Sequence, residues 1–173
     1  MVPGAKRVFI TSHAFAGNLK SASGAASGTD AADALCAQAV AAGGLGGTWR
    51  AWLSDSTHAA LDRIVDVSPW YTLSRRTKLF DTKTGVGIVG TLQYGPNGDV
   101  MFDEYGHLAK TVMRWTGTTV IGTSYPNNCD DWTSATADAD GDVGTSVAHS
   151  PEDWTVFMNA PCDTAAALYC FEQ

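Results

Sequence analysis

The stretch Gly28-Thr29-Asp30-Ala31-Ala32-Asp33-Ala34-Leu35-Cys36, followed by Gly44-Leu45-Gly46-Gly47-Thr48-Trp49-Arg50-Ala51-Trp52-Leu53-Ser54, decides how this chain is read. Thr29 or Asp30 can cap a helix running through Val40, because a side-chain oxygen there accepts an N–H that the first helical turn leaves unpartnered. Ala32, Leu35, Cys36, Ala39 and Val40 follow the i, i+3, i+4 spacing of one buried face. Gly43 and Gly44 stop the helix. The segment around Trp49 and Trp52 is then a short strand with aromatic weight. Cys36 lies on the buried helical face, where a disulfide partner in the core can reach it.

The chain has four cysteines, and the other three are Cys129, Cys162 and Cys170, the last in Leu168-Tyr169-Cys170-Phe171-Glu172-Gln173. An even count linking an early helix to a C-terminal strand reads as a disulfide frame that clasps the two ends of one domain, with three pairings open. Four buried thiols in a reducing compartment are the competing reading. At 173 residues the chain can bury a core without staples, so the cysteines supplement it. Closing a loop of more than about 100 residues is worth roughly 4–5 kcal/mol in the chain-entropy account. There is no Cys-x-x-Cys pair, which argues against a zinc ribbon or a thioredoxin-like redox site.

Net charge is −7, from 11 basic and 18 acidic residues, the reverse of the usual duplex-binding balance. Nucleic acid is therefore not an expected partner. Arg75, Arg76 and Lys78, with Arg63 upstream, read as a solvated basic loop. No apolar run approaches the roughly 20 residues of a membrane span, so membrane insertion is not expected. Met1-Val2-Pro3-Gly4-Ala5-Lys6 lacks a signal-peptide core, so export implies a signal or tether ahead of these residues.

Arg7 to Ser12 is a β-branched run and reads as the first strand. Gly17 to Gly28 reads as a flexible loop, and Ser56 as the cap of a second helix over Thr57 to Val65, with Ala60, Leu61 and Ile64 inward. Short strands are predicted over 71–73, 77–80, 87–91, 112–116, 120–121 and 166–171, and Pro96-Asn97-Gly98-Asp99 is a turn. Two helices followed by many short strands and long loops indicate α+β, in one domain spanning 1–173 with 1–6 as a flexible tail.

The two opening segments, together with Arg114-Trp115-Thr116-Gly117, Cys129-Asp130-Asp131-Trp132-Thr133, Pro161-Cys162 and Leu168-Tyr169-Cys170, resemble the endostatin domain of collagens XV and XVIII. The likeness is closer to related bacterial secreted domains, and it covers most of the chain in order. It implies a C-type lectin-like fold, with a mixed, mostly antiparallel sheet, two helices and long loops. It also implies nested disulfides, Cys36–Cys170 outside and Cys129–Cys162 inside. The animal domain's zinc site rests on an N-terminal histidine cluster that nothing here replaces, so no zinc is expected. Its heparin binding rests on spread arginines, whereas this chain is acidic. Tyr125-Pro126-Asn127 and Asp130-Asp131-Trp132 are not the Glu-Pro-Asn and Trp-Asn-Asp motifs of calcium-dependent sugar-binding relatives. Fold likeness therefore carries no ligand with it.

Asp138, Asp140 and Asp142 alternate in a Gly-containing loop. Such acids can converge on calcium, which takes six to eight oxygens, and Asp130 and Asp131 can add more. The EF-hand pattern is absent, since Gly141 stands fourth and His149 twelfth; a solvated acidic loop is the alternative. His13, His58, His107 and His149 have no metal-ligand spacing. Asp103, Glu104 and His107 suggest acid–base work or a metal, and Ser12, His13 and Asp30 can be drawn as a nucleophile set, but no nucleophile elbow accompanies them. Trp49, Trp52, Trp115 and Trp132 read as core. Trp70 and Trp154 sit in loop-like contexts that suit stacking on a sugar or anchoring a protein partner, although burial is tryptophan's commoner fate.

The reading is a secreted or cell-surface, non-catalytic binding module that adheres to a glycan or extracellular protein through loops between Tyr125 and Trp154, with Trp154, Trp70, Asp130 and Asp131 as ligand-binding residues. Its negative field favours neutral sugars or basic proteins over acidic glycans. A structural or oligomerisation domain of a larger surface protein and an enzyme on the same scaffold are the alternatives.

Overall fold

The computed structural model describes residues 4–145 and 150–173, so Met1 to Pro3 and His149 lie outside the described residues. The chain is α+β, with a five-stranded sheet in the order β2-β8-β1-β3-β4 and a three-stranded sheet in the order β5-β6-β7. Strands β1 (Lys6–Ile10), β2 (Trp49–Ala51), β3 (Trp70–Tyr71), β4 (Lys78–Phe80) and β8 (Tyr169–Glu172) form the first. Strands β5 (Met113–Trp115), β6 (Asp140–Thr145) and β7 (Met158–Pro161) form the second. The first sheet is mixed: β1 runs antiparallel to β8 and parallel to β3.

Alternation along β1 and β8 explains the layering, since successive strand side chains point to opposite faces. Phe9 and Cys170, which face each other in register, join one core with Leu35, Cys36 and Trp49. Val8, Ile10, Tyr169 and Phe171 join a second core with Trp52, Trp70, Phe80 and Trp154. The central strands are buried on both faces, which is why they read as continuous apolar runs.

Helix α2 (Gly28–Ala42) covers the first face with Ala31, Ala32, Leu35, Cys36 and Val40 buried. Its face sets Cys36 over β8, and Cys36 is bonded to Cys170 with the Cα atoms 5.7 Å apart. Cys129 is bonded to Cys162, Cα atoms 5.6 Å apart. The cap of α2 is Ser27, whose side chain accepts from the Asp30 N–H at 3.1 Å, two or three residues before the Thr29 or Asp30 expected from the sequence.

Several expectations are corrected. Lys6 belongs to β1, its Nζ donates to the Gln173 carbonyl, and Arg7 pairs with Glu172 at 2.6 Å, so residue 6 is not part of a flexible tail. The loop 17–28 contains a short helix, α1 (Leu19–Ser23), capped by Asn18. The second predicted helix shrinks to α3 (Ala60–Arg63). Asp55 takes the Thr57 and His58 N–H groups at 2.9 and 2.7 Å, which holds the preceding residues in a loop rather than a first helical turn. Ala60 and Ile64 are nonetheless buried. Residues 87–91 make only isolated bridges, and 120–121 is a turn rather than a strand.

Candidate functional site

The most unusual backbone among the described residues is the Cys129–Trp132 turn, which winds left-handed, with φ of 52°, 54°, 55° and 61° at Cys129, Asp130, Asp131 and Trp132. Each non-glycine residue there costs roughly 1–2 kcal/mol, and Asn and Asp tolerate it best. Asp130 and Asp131 supply that tolerance, and Asn128, itself at φ −140°, caps the turn by accepting the Asp131 N–H at 3.0 Å.

Tertiary contacts supply the rest. The Cys129–Cys162 disulfide anchors one end. Trp132 is fully buried, donates its Nε1–H to the Ser54 carbonyl at 2.8 Å and packs edge-on to Trp115 at 5.7 Å. The Asp131 carboxylate accepts from the Ser56 N–H at 2.7 Å, the Ser56 hydroxyl at 2.6 Å and Asn128 Nδ2 at 2.9 Å. Close approach demands glycine nearby: a Cβ at Gly28 would stand 2.4 Å from the Asp131 carbonyl, and one at Gly17 2.4 Å from Cys129 Sγ.

The turn forms one wall of an open cleft of about 580 Å³, lined by Ser56, Ser124, Tyr125, Pro126, Asn128, Asp130 and Asp131. Asp130 is exposed on its rim, and Asp131 is tied back into the wall. Ser56 reaches the cleft from the Ser54–His58 loop, which is organised by the buried Asp55 carboxylate, accepting from Thr29 Oγ1 at 2.9 Å as well as from Thr57 and His58. Burial pulls the Asp55 pKa upward, but hydrogen bonds from Thr57, Thr29 and His58 outweigh it and hold the carboxyl below the usual value. The cleft thus has rigid walls and one exposed carboxylate, a geometry suited to a cationic or hydroxyl-rich group.

The Asp138–Asp142 segment is not a loop throughout, because Asp140 starts β6. Asp138 and Asp140 are exposed, while Asp142 is 1 % exposed. Burial raises the Asp142 pKa to about 6, with Asn127 hydrogen bonding opposing and the Asp140 charge adding to the rise. Among the described residues no group of three or more His, Cys, Asp or Glu side chains is placed to hold a metal ion.

Trp70 and Trp154 are core residues, 0 % and 2 % exposed. Trp70 donates to the Glu172 carbonyl at 3.0 Å, and Trp154 packs on Trp52 at 4.9 Å and on Phe80 at 5.1 Å. Neither offers an open stacking face; burying so much aromatic surface in the second core outweighs any exposed use. The acid–base candidates are committed to structure. Asp103 accepts the Tyr105 and His107 N–H groups at 3.0 and 2.9 Å, and buried Glu104 accepts the Ser12 N–H at 2.7 Å together with its hydroxyl. His13 packs edge-on to Phe15 at 4.7 Å, and among the described residues no hydrogen bond joins Ser12, His13 and Asp30. Of the basic group, Arg63 pairs with Asp33 at 2.7 Å and Lys78 pairs with Asp81.

The sequence reading reached Asp130 and Asp131 but missed Ser56 and the handedness of the turn. Three αL-tolerant residues flanking a cysteine were the available signal. No protein family matches the chain, and no curated protein matches it. No helix among the described residues is long and apolar enough to cross a membrane.

Proposed function

We propose that this chain is an extracellular, non-catalytic binding module of the endostatin-like class, and that it captures a basic segment of an extracellular protein at the Asp130–Asp131 cleft. The α+β architecture and the two nested disulfides support the class, and disulfides persist in oxidising compartments. The observation that carries the site is the run of four consecutive left-handed residues. Strained backbone persists only where its surroundings over-determine it, and it clusters at functional sites. Here the strain keeps Asp131 in the wall and leaves Asp130 exposed on the rim, in a chain of net charge −7 that attracts cations. A non-catalytic role fits the commitment of Asp103 and Glu104 to backbone and hydroxyl donors.

The test is an array of matrix proteins and glycans probed with the purified chain and its Asp130→Asn variant, in calcium and in EDTA. Binding to basic proteins that survives EDTA and weakens severalfold in the variant is the expected result. Binding lost in EDTA would reassign recognition to calcium held near Asp138 and Asp140. Silence on every spot would overturn the proposal in favour of a structural domain.

A further inference from the structure

Five of the six tryptophans donate their indole N–H to a defined acceptor. Trp49 bonds the Gly46 carbonyl at 3.0 Å, Trp52 the Thr155 hydroxyl at 2.8 Å and Trp70 the Glu172 carbonyl at 3.0 Å. Trp115 bonds the Phe15 carbonyl and Trp132 the Ser54 carbonyl, both at 2.8 Å. Trp154 is different: its Nε1 is buried and has no acceptor among the described residues. Buried indole N–H groups ordinarily find a partner, and one left unpaired is destabilising. Such an orphan in a native core calls for an explanation, an unseen water or ligand among them.

Trp154 also lines a cavity of about 290 Å³ between the Pro96–Val100 turn and the 3-10 turn Pro151–Trp154. We propose that this cavity binds a small neutral polyhydroxylated molecule, one sugar ring in size, through a hydroxyl oxygen that accepts the Trp154 N–H. The volume stands at the lower end of the roughly 300–1,000 Å³ of small-molecule sites. Tyr169 lies beside Trp154 in the inner wall; its hydroxyl reaches the Thr145 carbonyl only at 3.4 Å, and burial raises its pKa, so it stays a neutral phenol. Asp99 is exposed on the rim, where it can accept hydroxyl protons. Pro96, Pro151 and Val89 supply apolar surface suited to the C–H face of a ring, beside the polar Asn97, Thr145 and Ser150.

This chemistry discriminates among ligand classes. An anion would meet Asp99 in a chain of net charge −7. A wholly apolar ligand would leave the Trp154 N–H unpaired. Nε1 has less than 1 Å² of accessible surface, so the wall that separates it from the cavity must move aside before a hydroxyl can accept its proton. The cavity shares no residue with the Asp130–Asp131 cleft, and the two sites stand or fall separately.

The test is an indole-region ¹H–¹⁵N titration of the full chain, with the Trp154 resonance assigned by its loss in Trp154→Phe. The probes are the methyl glycosides of glucose, galactose, mannose and N-acetylglucosamine. The Trp154 signal is expected at an unpaired N–H position, and it should move saturably, at millimolar affinity, with at least one probe while the other indoles stay still. Asp99→Ala should weaken that binding about tenfold without changing the melting temperature, and Asp130→Asn should leave it unchanged. The proposal is overturned if no glycoside moves the signal or if only N-acetylneuraminic acid or benzene does. A free-protein resonance already at a paired position, which would mean water or protein holds the proton, overturns it equally.

Discussion

Asp131 is joined to Ser56 by two hydrogen bonds, from the Ser56 N–H at 2.7 Å and the Ser56 hydroxyl at 2.6 Å. These residues stand 75 positions apart in the chain, and the pair ties the left-handed turn to the loop that carries Ser56 into the cleft. Cleft shape and turn strain are therefore one property.

Asp131→Ala and Asp130→Asn separate wall from rim. Removing Asp131 leaves the Ser56 and Asn128 donors without their acceptor, at a cost of about 1–3 kcal/mol, read as a lower melting temperature together with lost array binding. Asp130→Asn should leave melting within about 0.5 kcal/mol of the parent while still weakening binding. Equal melting losses in both variants would contradict this division.

Gly28→Ala tests the close packing behind the turn. Its Cβ would stand 2.4 Å from the Asp131 carbonyl, so helix and turn must move apart despite alanine's better helix propensity. A destabilisation of about 1–3 kcal/mol is expected, measurable by urea denaturation. A stabilised variant would show that the turn gives way easily.

The two disulfides should differ in consequence. They span 134 and 33 residues, so loop-closure entropy makes the outer worth about 5 kcal/mol and the inner about 4 kcal/mol. Replacing the outer pair with alanine should lower stability more. Replacing the inner pair should release the Cys129 end of the turn and abolish cleft binding in protein that remains folded, as circular dichroism beside the array would show.

Asp142 sets a pH dependence. Its pKa rises from 3.8 to about 6 on folding, so between those values the native state holds a proton that the unfolded chain releases. Stability then increases as pH falls from about 6 to about 4, and the ionised, buried carboxylate destabilises the fold above 6. Asp55 acts oppositely and lower down: its depressed pKa contributes stability that is lost as pH falls below the usual carboxylate value. Asp142→Asn should flatten the melting profile between pH 4 and 6 and change stability at pH 7.5 by about +1 kcal/mol, solvent screening included. An unaltered profile would place the titration elsewhere.

Local patterns were legible where one short segment decides the outcome. The 3.6-residue spacing of Leu35, Cys36, Ala39 and Val40 read correctly as a helix, because a single buried stripe is enough to define it. Strand β6, Asp140 to Thr145, was unreadable: Asp-Gly-Asp-Val-Gly-Thr has little strand propensity, and the pairing with β5 and β7 overrides it. Ser56 failed as a helix cap for a similar reason: Asp55 accepts the Thr57 and His58 N–H groups, while the Ser56 N–H and hydroxyl are drawn to Asp131 from a distant segment.

By itself the sequence determined the α+β class, the helix carrying Cys36, the acidic balance and a disulfide framework, because composition and periodicity are properties of neighbouring residues. Only the tertiary structure decided that Trp70 and Trp154 face inward, that Asp142 is buried beside exposed Asp140, and that Cys129–Trp132 winds left-handed. Each of those depends on segments distant in the chain meeting in space. Burial and strain are stable only when those distant partners supply the missing hydrogen bonds and packing.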